Sequence, residues 1–496
     1  MIIRIDKSKL LSLLRFPRIP VPKVSGGVDL PQLMFRLVKT FRPNILVHKI
    51  SMFYDDFIGN LNNQLYSKIV VSGTSPSYTV QNSVMTVTNN TGASSEEYLV
   101  IAPPRIPVLA LRLKVVSHTA TLGSNWGNAM VVLAKDAGNR YLFLYDTSLR
   151  RFAFYRAVAG SGTEVWTYTI DLTPPYQLIM LLVGKVFMFF YEKNGVITYL
   201  GSYKETAVDL LDPAVLQSYR VGFGQLLSNG VSITYDEFEY YIPPGLGLRD
   251  PTLVVAKDGA PVIFNNKVFL TFTSAGLDVD SSYTTLWSLD LRTYEMRLEA
   301  VIVTRDPSNG KLYTDHAGQI VYDEDAEEYI YLISGWGRQA YKGGACRMVA
   351  GRTKIDLLNE RILILDAREL SLPLDTANNQ FDPWLYYDSN AGKWRLAYAS
   401  PFGVVAVAEN TDPTSATGWS LVSSLSVSGG EATKMVVVNG KRYILFGCND
   451  VASRMCFADY PTLANRGSIN VDKTPHTTTQ ATSPPHPMII PIPYGA

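Results

Sequence analysis

The chain has 496 residues, 47% of them apolar and only 18% charged, against about 25% charged in an average soluble domain. Lys and Arg number 45 and Asp and Glu 44, a net charge of +1, so no global field draws the chain to nucleic acid or to an anionic membrane. This composition excludes a disordered chain, a coiled coil and a disulfide-knotted miniprotein, and the length accommodates two or three domains.

Residues 1–50 stand apart. They carry ten Lys/Arg and two Asp, or +8, which leaves −7 for the remainder. Asp29 is placed to cap a helix and Pro31 suits its first turn. Leu30, Leu33, Met34, Leu37, Val38 and Phe41 then recur at the helical period. Such a basic, amphipathic arm either packs on its own domain, docks the chain into a larger assembly or lies on a membrane surface. Leu10 to Leu14, the best secretory core, is interrupted by Arg15 and Pro17, and no apolar run approaches the ~18 residues of a membrane span.

Residues 51–244 read as strand after strand. Lys68–Ser72, Ser83–Thr88, Val108–Val116, Ala129–Leu133, Tyr141–Tyr145, Tyr176–Phe190 and Val231–Tyr241 are rich in β-branched and aromatic residues, with Asn, Gly and Ser between them. Antiparallel sheets and a β-sandwich follow. The segment opens with Phe53-Tyr-Asp-Asp-Phe57 and closes with Tyr235-Asp-Glu-Phe-Glu-Tyr-Tyr241. This resembles concanavalin-like jelly rolls, in which first and last strands lie side by side. Pro243-Pro244-Gly245 is the linker.

Residues 245–471 contain a repeat: an acidic residue, an apolar strand, a polar turn and a second, aromatic-rich strand. Its acids are Asp250, Asp315, Asp382 and Glu431, each before what would be the innermost strand of a blade. The expected fold is therefore all-β, a sandwich followed by a β-propeller of four or five blades, of which four are visible. The tail, 472–496, is rich in Pro and Thr. Cys346, Cys448 and Cys456 match no zinc spacing and read as buried free thiols, with a pairing of Cys448 and Cys456 across neighbouring strands as the alternative.

Acids converging on one end of a propeller channel have a chemical use. Glycoside hydrolysis needs one carboxylate as base and one protonated carboxyl as acid, and crowding separates their pKa values. An Asp before Pro also simply caps a turn. The sequence offers Arg249-Asp250-Pro251, then Asp382-Pro383 with Asp388 and Gly392-Lys393-Trp394, then Glu431 with Asn439-Gly440-Lys441-Arg442-Tyr443. In order and rough spacing these segments resemble the five-bladed propeller glycosidases of the arabinanase and β-xylosidase type. The resemblance implies Asp250 as general base, Asp382 as the residue that tunes and orients the acid, Glu431 as general acid, and inversion of configuration.

Further candidates to bind substrate surround these acids. Trp336, in Ser334-Gly-Trp-Gly-Arg338, is a sugar platform or core, and Trp384 is the same choice with core favoured. Arg249 and Arg338 would hold a carboxylated sugar or form ion pairs, Asp315 belongs with the channel acids, and His316 would be a channel-centre ligand or proton carrier. On the sandwich, Asp55, Asp56, Trp126 and Trp166 are candidates without discrimination. No cofactor is required; a structural calcium ion is compatible with the fold.

The function expected from these features is a glycan-recognising appendage of a virion or similar particle, oligomeric in its assembly, attached to other particle proteins through residues 1–50 and binding cell-surface glycans or polysaccharide. Glycoside hydrolase activity would be an added property. The alternative is a free inverting glycosidase, cytoplasmic or exported without a conventional signal. Neither nucleic acid nor a transmembrane segment enters either reading.

Overall fold

A computed structural model describes residues 43–58, 65–374, 379–400, 403–427, 430–438, 440–447 and 454–470. The helix expected over 30–41 and the tail from 472 lie outside them.

Residues 50–242 fold into two antiparallel sheets. The first has the order Val196–Lys204, Val186–Lys193, Tyr176–Val183, Val108–His118, Ser232–Ile242, Val84–Thr88, Ser77–Gln81, and Ile50–Asp55 also pairs with Ser232–Ile242. The second runs Ser161–Thr169, Arg151–Val158, Asn139–Asp146, Gly127–Asp136, Arg220–Leu227, Ser95–Val100, Ser67–Ser72. The expected neighbourhood of first and last strands is present, with Phe53 opposite Tyr240 and Asp55 opposite Phe238.

Leu109, Leu111, Leu113 and Val115 point between the sheets, onto Val131, Leu133, Tyr141, Phe143 and Tyr145. Each such side chain contributes about 1.5–3 kcal/mol on burial. The alternate residues of the same strands are also buried. Val108, Ala110, Ile179, Leu181, Val183 and Met188 form a second core with Tyr283, Trp287, Val301 and Val303 from the C-terminal half. A sheet covered on both faces has unbroken apolar strands, and this has a local consequence. The run 176–190 reads as one strand but is two, Tyr176–Val183 and Val186–Lys193, folded back at Gly184-Lys185. Gly184 has φ +60°, the left-handed conformation that such a two-residue turn requires. One short helix, Pro213–Leu216, also interrupts the expected all-strand segment.

Four largely antiparallel sheets follow in chain order, the blades of a propeller-like unit. Their innermost strands are Gly247–Leu253, His316–Asp323, Phe381–Asp388 and Lys434–Val438. Among the described residues there is no fifth four-stranded sheet. Adjacent blades are clasped by side chains near the axis. The Ser334 hydroxyl donates to the Ala317 carbonyl (2.9 Å) and accepts the Asp382 N–H (3.0 Å). The Gln319 side-chain carbonyl accepts the Leu385 N–H, while its amide donates to the Leu385 carbonyl at 3.4 Å.

At the far end of the inner strands the first blade crosses to the others. Val255 and Ala256 pair in parallel with Val321 and Tyr322 of the second blade. The Lys257 carbonyl accepts the Tyr387 N–H of the third at 2.8 Å. A Cβ on Gly259 would sit 3.3 Å from the Met435 side chain of the fourth.

The cysteine expectation is corrected in part. Cys346 is a buried free thiol, but Cys456 is disulfide-bonded; Cys448 lies outside the described residues.

Candidate functional site: the acid-lined end of the blades

Each inner strand begins with one residue in the left-handed conformation: Asp250 (φ +53°), Ala317 (+59°), Asp382 (+56°) and Ala432 (+58°). In the first three blades the strand pairing slips there, between Arg249 and Thr252, His316 and Gly318, and Phe381 and Trp384. These bulges set the true register of the repeat. Asp250 and Asp382 share a phase, whereas Asp315 lies two residues ahead of it and Glu431 one. The expectation of four acids in phase is therefore corrected. The four in-phase positions hold Asp, Ala, Asp and Ala, and the preceding positions hold Arg249, His316, Phe381 and Glu431.

Asp250 and Asp382 are both buried. One oxygen of Asp382 accepts the Ala432 N–H at 2.7 Å, and the Thr433 hydroxyl donates to the Asp382 backbone carbonyl. This two-point clasp fixes the peptide that carries Glu431, a half-buried residue; Arg249 is exposed. Between the acids stands His316, fully buried, with Nδ1 3.3 Å from the Thr314 carbonyl. Burial lowers its pKa, against the opposing pull of that carbonyl and of Asp250. The imidazole is accordingly neutral near pH 7.

Asp315 and Arg338 form an internal pair. Asp315 accepts the Arg338 N–H and Nε–H, each at 2.9 Å, and the Thr304 hydroxyl at 2.5 Å, and the guanidinium also donates to the Ala367 carbonyl at 2.9 Å. Both side chains are buried, so their bonding capacity is spent within the fold. Trp336 opens the short helix Trp336–Lys342 and packs half-buried on Phe381, ring centres 5.3 Å apart. Trp384 is in the core. Asp388 sits at the opposite end of its strand, paired with Arg395 at 2.8 Å. On the sandwich, Asp55 accepts from the Phe57 N–H and the Tyr66 hydroxyl, Trp166 packs on Phe189, and Trp126 is exposed.

One residue that sequence reasoning passed over belongs here. Lys434 begins the fourth inner strand and is 2% exposed. Burial lowers its pKa, opposed by the charges of Asp382 and Asp250. The sequence signal was its place three residues after Glu431, at the head of an apolar run. Among the described residues no group of three or more His, Cys, Asp or Glu side chains is arranged to hold a metal ion, and no helix is long and apolar enough to cross a membrane. Cavities of about 400 and 200 Å³ lie elsewhere, against Lys49 and Arg297 and against Lys342 and Arg347.

No protein-family model and no curated protein sequence matches the chain. Among solved structures, it is similar to the carbohydrate-binding module CBM66 from Bacillus subtilis, at 13% identity over 35% of this chain and 96% of that one, TM-score 0.25. It is similar to the inulosucrase from Halalkalicoccus jeotgali bound to kestose, at 16% identity over 46% and 70%, TM-score 0.35. It is also similar to the GH43 protein BlXynB from Bacillus licheniformis, at 13% identity over 38% and 39%, TM-score 0.30. The chain thus spans well under half of that last protein, and likenesses at these scores define no function.

Proposed function

We propose that the chain is a glycan-recognising protein whose binding site is the end of the blades marked by Asp250, His316, Asp382 and Glu431. The observation that carries this reading is the shared phase of Asp250 and Asp382, two carboxylates held in left-handed turns at the same register position of the first and third inner strands. A left-handed non-glycine residue costs roughly 1–2 kcal/mol, and strain of this kind gathers at functional sites. Carboxylates suit sugars because each accepts two or more hydroxyl donors. Arg338 is bound to Asp315. The charged groups assigned to the mouth, Asp250, Asp382 and Glu431 with Arg249 and Lys434, sum to −1, which favours an uncharged sugar over a uronic or sialic acid.

Hydrolysis is the added property proposed for the same groups. Asp250 would take a proton from water, Glu431 would protonate the leaving oxygen, and Asp382 would hold the Glu431 peptide in place. The appendage role rests on the contrast of +8 in residues 1–50 with −7 in the rest.

The test is a glycan array with a reducing-sugar assay on the wild type, Asp250→Asn and Glu431→Gln. Binding abolished by Asp250→Asn supports the site, and release abolished by Glu431→Gln adds catalysis. Wild-type protein that neither binds nor cleaves any glycan overturns the reading. Deletion of residues 1–50 should spare binding and abolish incorporation into a particle; the converse result overturns the appendage role.

A further inference from the structure

On one side of the sandwich the two sheets end on Ser161–Thr169 and Val196–Lys204, and neither of these strands has a further neighbour in its sheet. Both carry a β-bulge. Val165 is the extra residue of the first, between Glu164 and Trp166, and Leu200 that of the second, between Tyr199 and Gly201. A bulge breaks the ladder that an added strand would continue, and it re-aims the side chains beside it. Past Val165, Trp166 and Tyr168 stand opposite Phe154 and Phe152 of the inter-sheet core, so both face the inside of the sandwich.

Trp166 closes the gap between the sheets at its own level. Its ring centre lies 5.1 Å from that of Phe189 in the other sheet, and the indole lies over Gly201, where a Cβ would come within 2.5 Å of Nε1. One step along, the gap stays open. Tyr168 stands outside Phe152 and Thr198 outside Tyr191, while Phe152 and Tyr191 stack across the sheets at 5.3 Å. Thr198 is short, and the Tyr168 ring is left 44% exposed. That ring is parallel to Trp166 within 7°, with centres 6.5 Å apart. The hydroxyls of Tyr168, Tyr191 and Thr198 form no hydrogen bond with any described residue, and those of Tyr191 and Thr198 are not sealed from the surface.

We propose that this open stretch of edge is a carbohydrate-binding site separate from the mouth of the blades. A neutral sugar ring lies on Tyr168, Trp166 forms a fixed side wall, and Tyr191 and Thr198 bond its hydroxyls. A sugar has a C–H face for an aromatic ring and a rim of hydroxyls that donate and accept, as phenol and threonine hydroxyls also do. None of the four side chains carries a charge, which suits an uncharged ligand. Trp166 is already held by Phe189 and loses little freedom on binding. A strand from another chain, the other natural occupant of a sheet edge, is what the two bulges oppose. No residue of the blades takes part, so this site stands or falls apart from Asp250 and Asp382.

The experiment is calorimetric titration of the full chain with xylo-, arabino-, fructo-, gluco- and galacto-configured oligosaccharides, with unfolding midpoints as fold checks. Tyr168→Ala should weaken the best ligand by about tenfold or more, the usual effect of removing a central aromatic contact. Tyr168→Phe keeps the ring and should weaken it only severalfold. Thr198→Tyr fills the gap and should abolish binding, and it carries the test should the Ala variant not fold. Tyr199, 45% exposed on the other face of the same edge, is the control: Tyr199→Ala should bind as wild type. Binding that survives Tyr168→Ala and Thr198→Tyr but is lost in Asp250→Asn belongs to the mouth and overturns the edge site. Binding lost in the edge variants and kept in Asp250→Asn upholds the edge site and removes support from the mouth. If both sites bind, a stoichiometry of two should fall to one in either set of variants. Wild-type protein that binds no sugar of the panel overturns the proposal, as does a Tyr199→Ala loss equal to that of Tyr168→Ala.

Discussion

Asp382 reaches out of the third blade and takes the backbone N–H of Ala432 in the fourth at 2.7 Å. The equivalent N–H groups of Ala317 and Asp382 are taken by hydroxyls, those of Thr273 and Ser334. In the fourth blade a carboxylate replaces the hydroxyl, so Asp382 carries a structural bond between blades. Asp382→Leu leaves the Ala432 N–H buried and unpaired, at a cost of about 1–3 kcal/mol. Asp382→Asn keeps an acceptor and should cost less than half of that. Urea denaturation of the two variants checks the order; equal losses would show that the bond holds nothing.

The Asp315–Arg338 pair should behave as a buried ion pair. Arg338→Met strands the carboxylate and should destabilise by about 3–5 kcal/mol, whereas the Asp315→Leu, Arg338→Met double variant should recover most of the loss. A double variant no more stable than the single one would contradict this account.

Acid should attack the C-terminal half through two groups of opposite kind. Burial opposes the charge of Asp306, but hydrogen bonds from Lys342 and Ser308 and the nearby Arg338 outweigh it and hold the carboxyl well below its ordinary value. Its contribution is complete above about pH 3.8 and is lost as pH falls through its folded value. His316 is lowered by burial, so the unfolded chain takes up its proton first and stability declines as pH drops below about 6.5. Unfolding midpoints between about pH 8 and 1.5 should therefore fall in two stages. His316→Asn should remove the upper stage and leave the lower one; a single stage in both proteins would refute the assignment.

Gly184 should be intolerant of a side chain. A Cβ there would lie 2.3 Å from the Tyr341 hydroxyl, which cannot swing aside freely because it accepts the Lys185 N–H (2.9 Å) and donates to the Asp280 carbonyl (2.7 Å). Gly184→Ala should cost about 1–3 kcal/mol through the left-handed backbone and the displaced ring. Tyr341→Phe with Gly184→Ala should restore part of it. Thermal unfolding of the single and double variants decides the matter.

The strands of the fold are legible because alternation and aromatic content mark them, and the pairing of the Phe53 and Tyr241 segments is what their resemblance to concanavalin-like jelly rolls implies. The hairpin at Gly184 was hidden because a sheet covered on both faces loses its period-two pattern. The acid register was hidden for another reason. Ala317 and Ala432 adopt a conformation that alanine disfavours, so nothing in their identity marks the turn, and the nearest acids, Asp315 and Glu431, imitate the repeat instead. Lys434 escaped notice because a lysine at the head of a strand ordinarily faces water. The pairing of Asp315 with Arg338 depends on a helix that the Gly-Trp-Gly sequence does not announce.

The turn that carries the Lys257 carbonyl onto Tyr387 and brings Gly259 against Met435 fastens the first blade to the third and the fourth. Three sheets that meet at one turn cannot loosen one at a time there, so a change in this turn would be felt by all of them together.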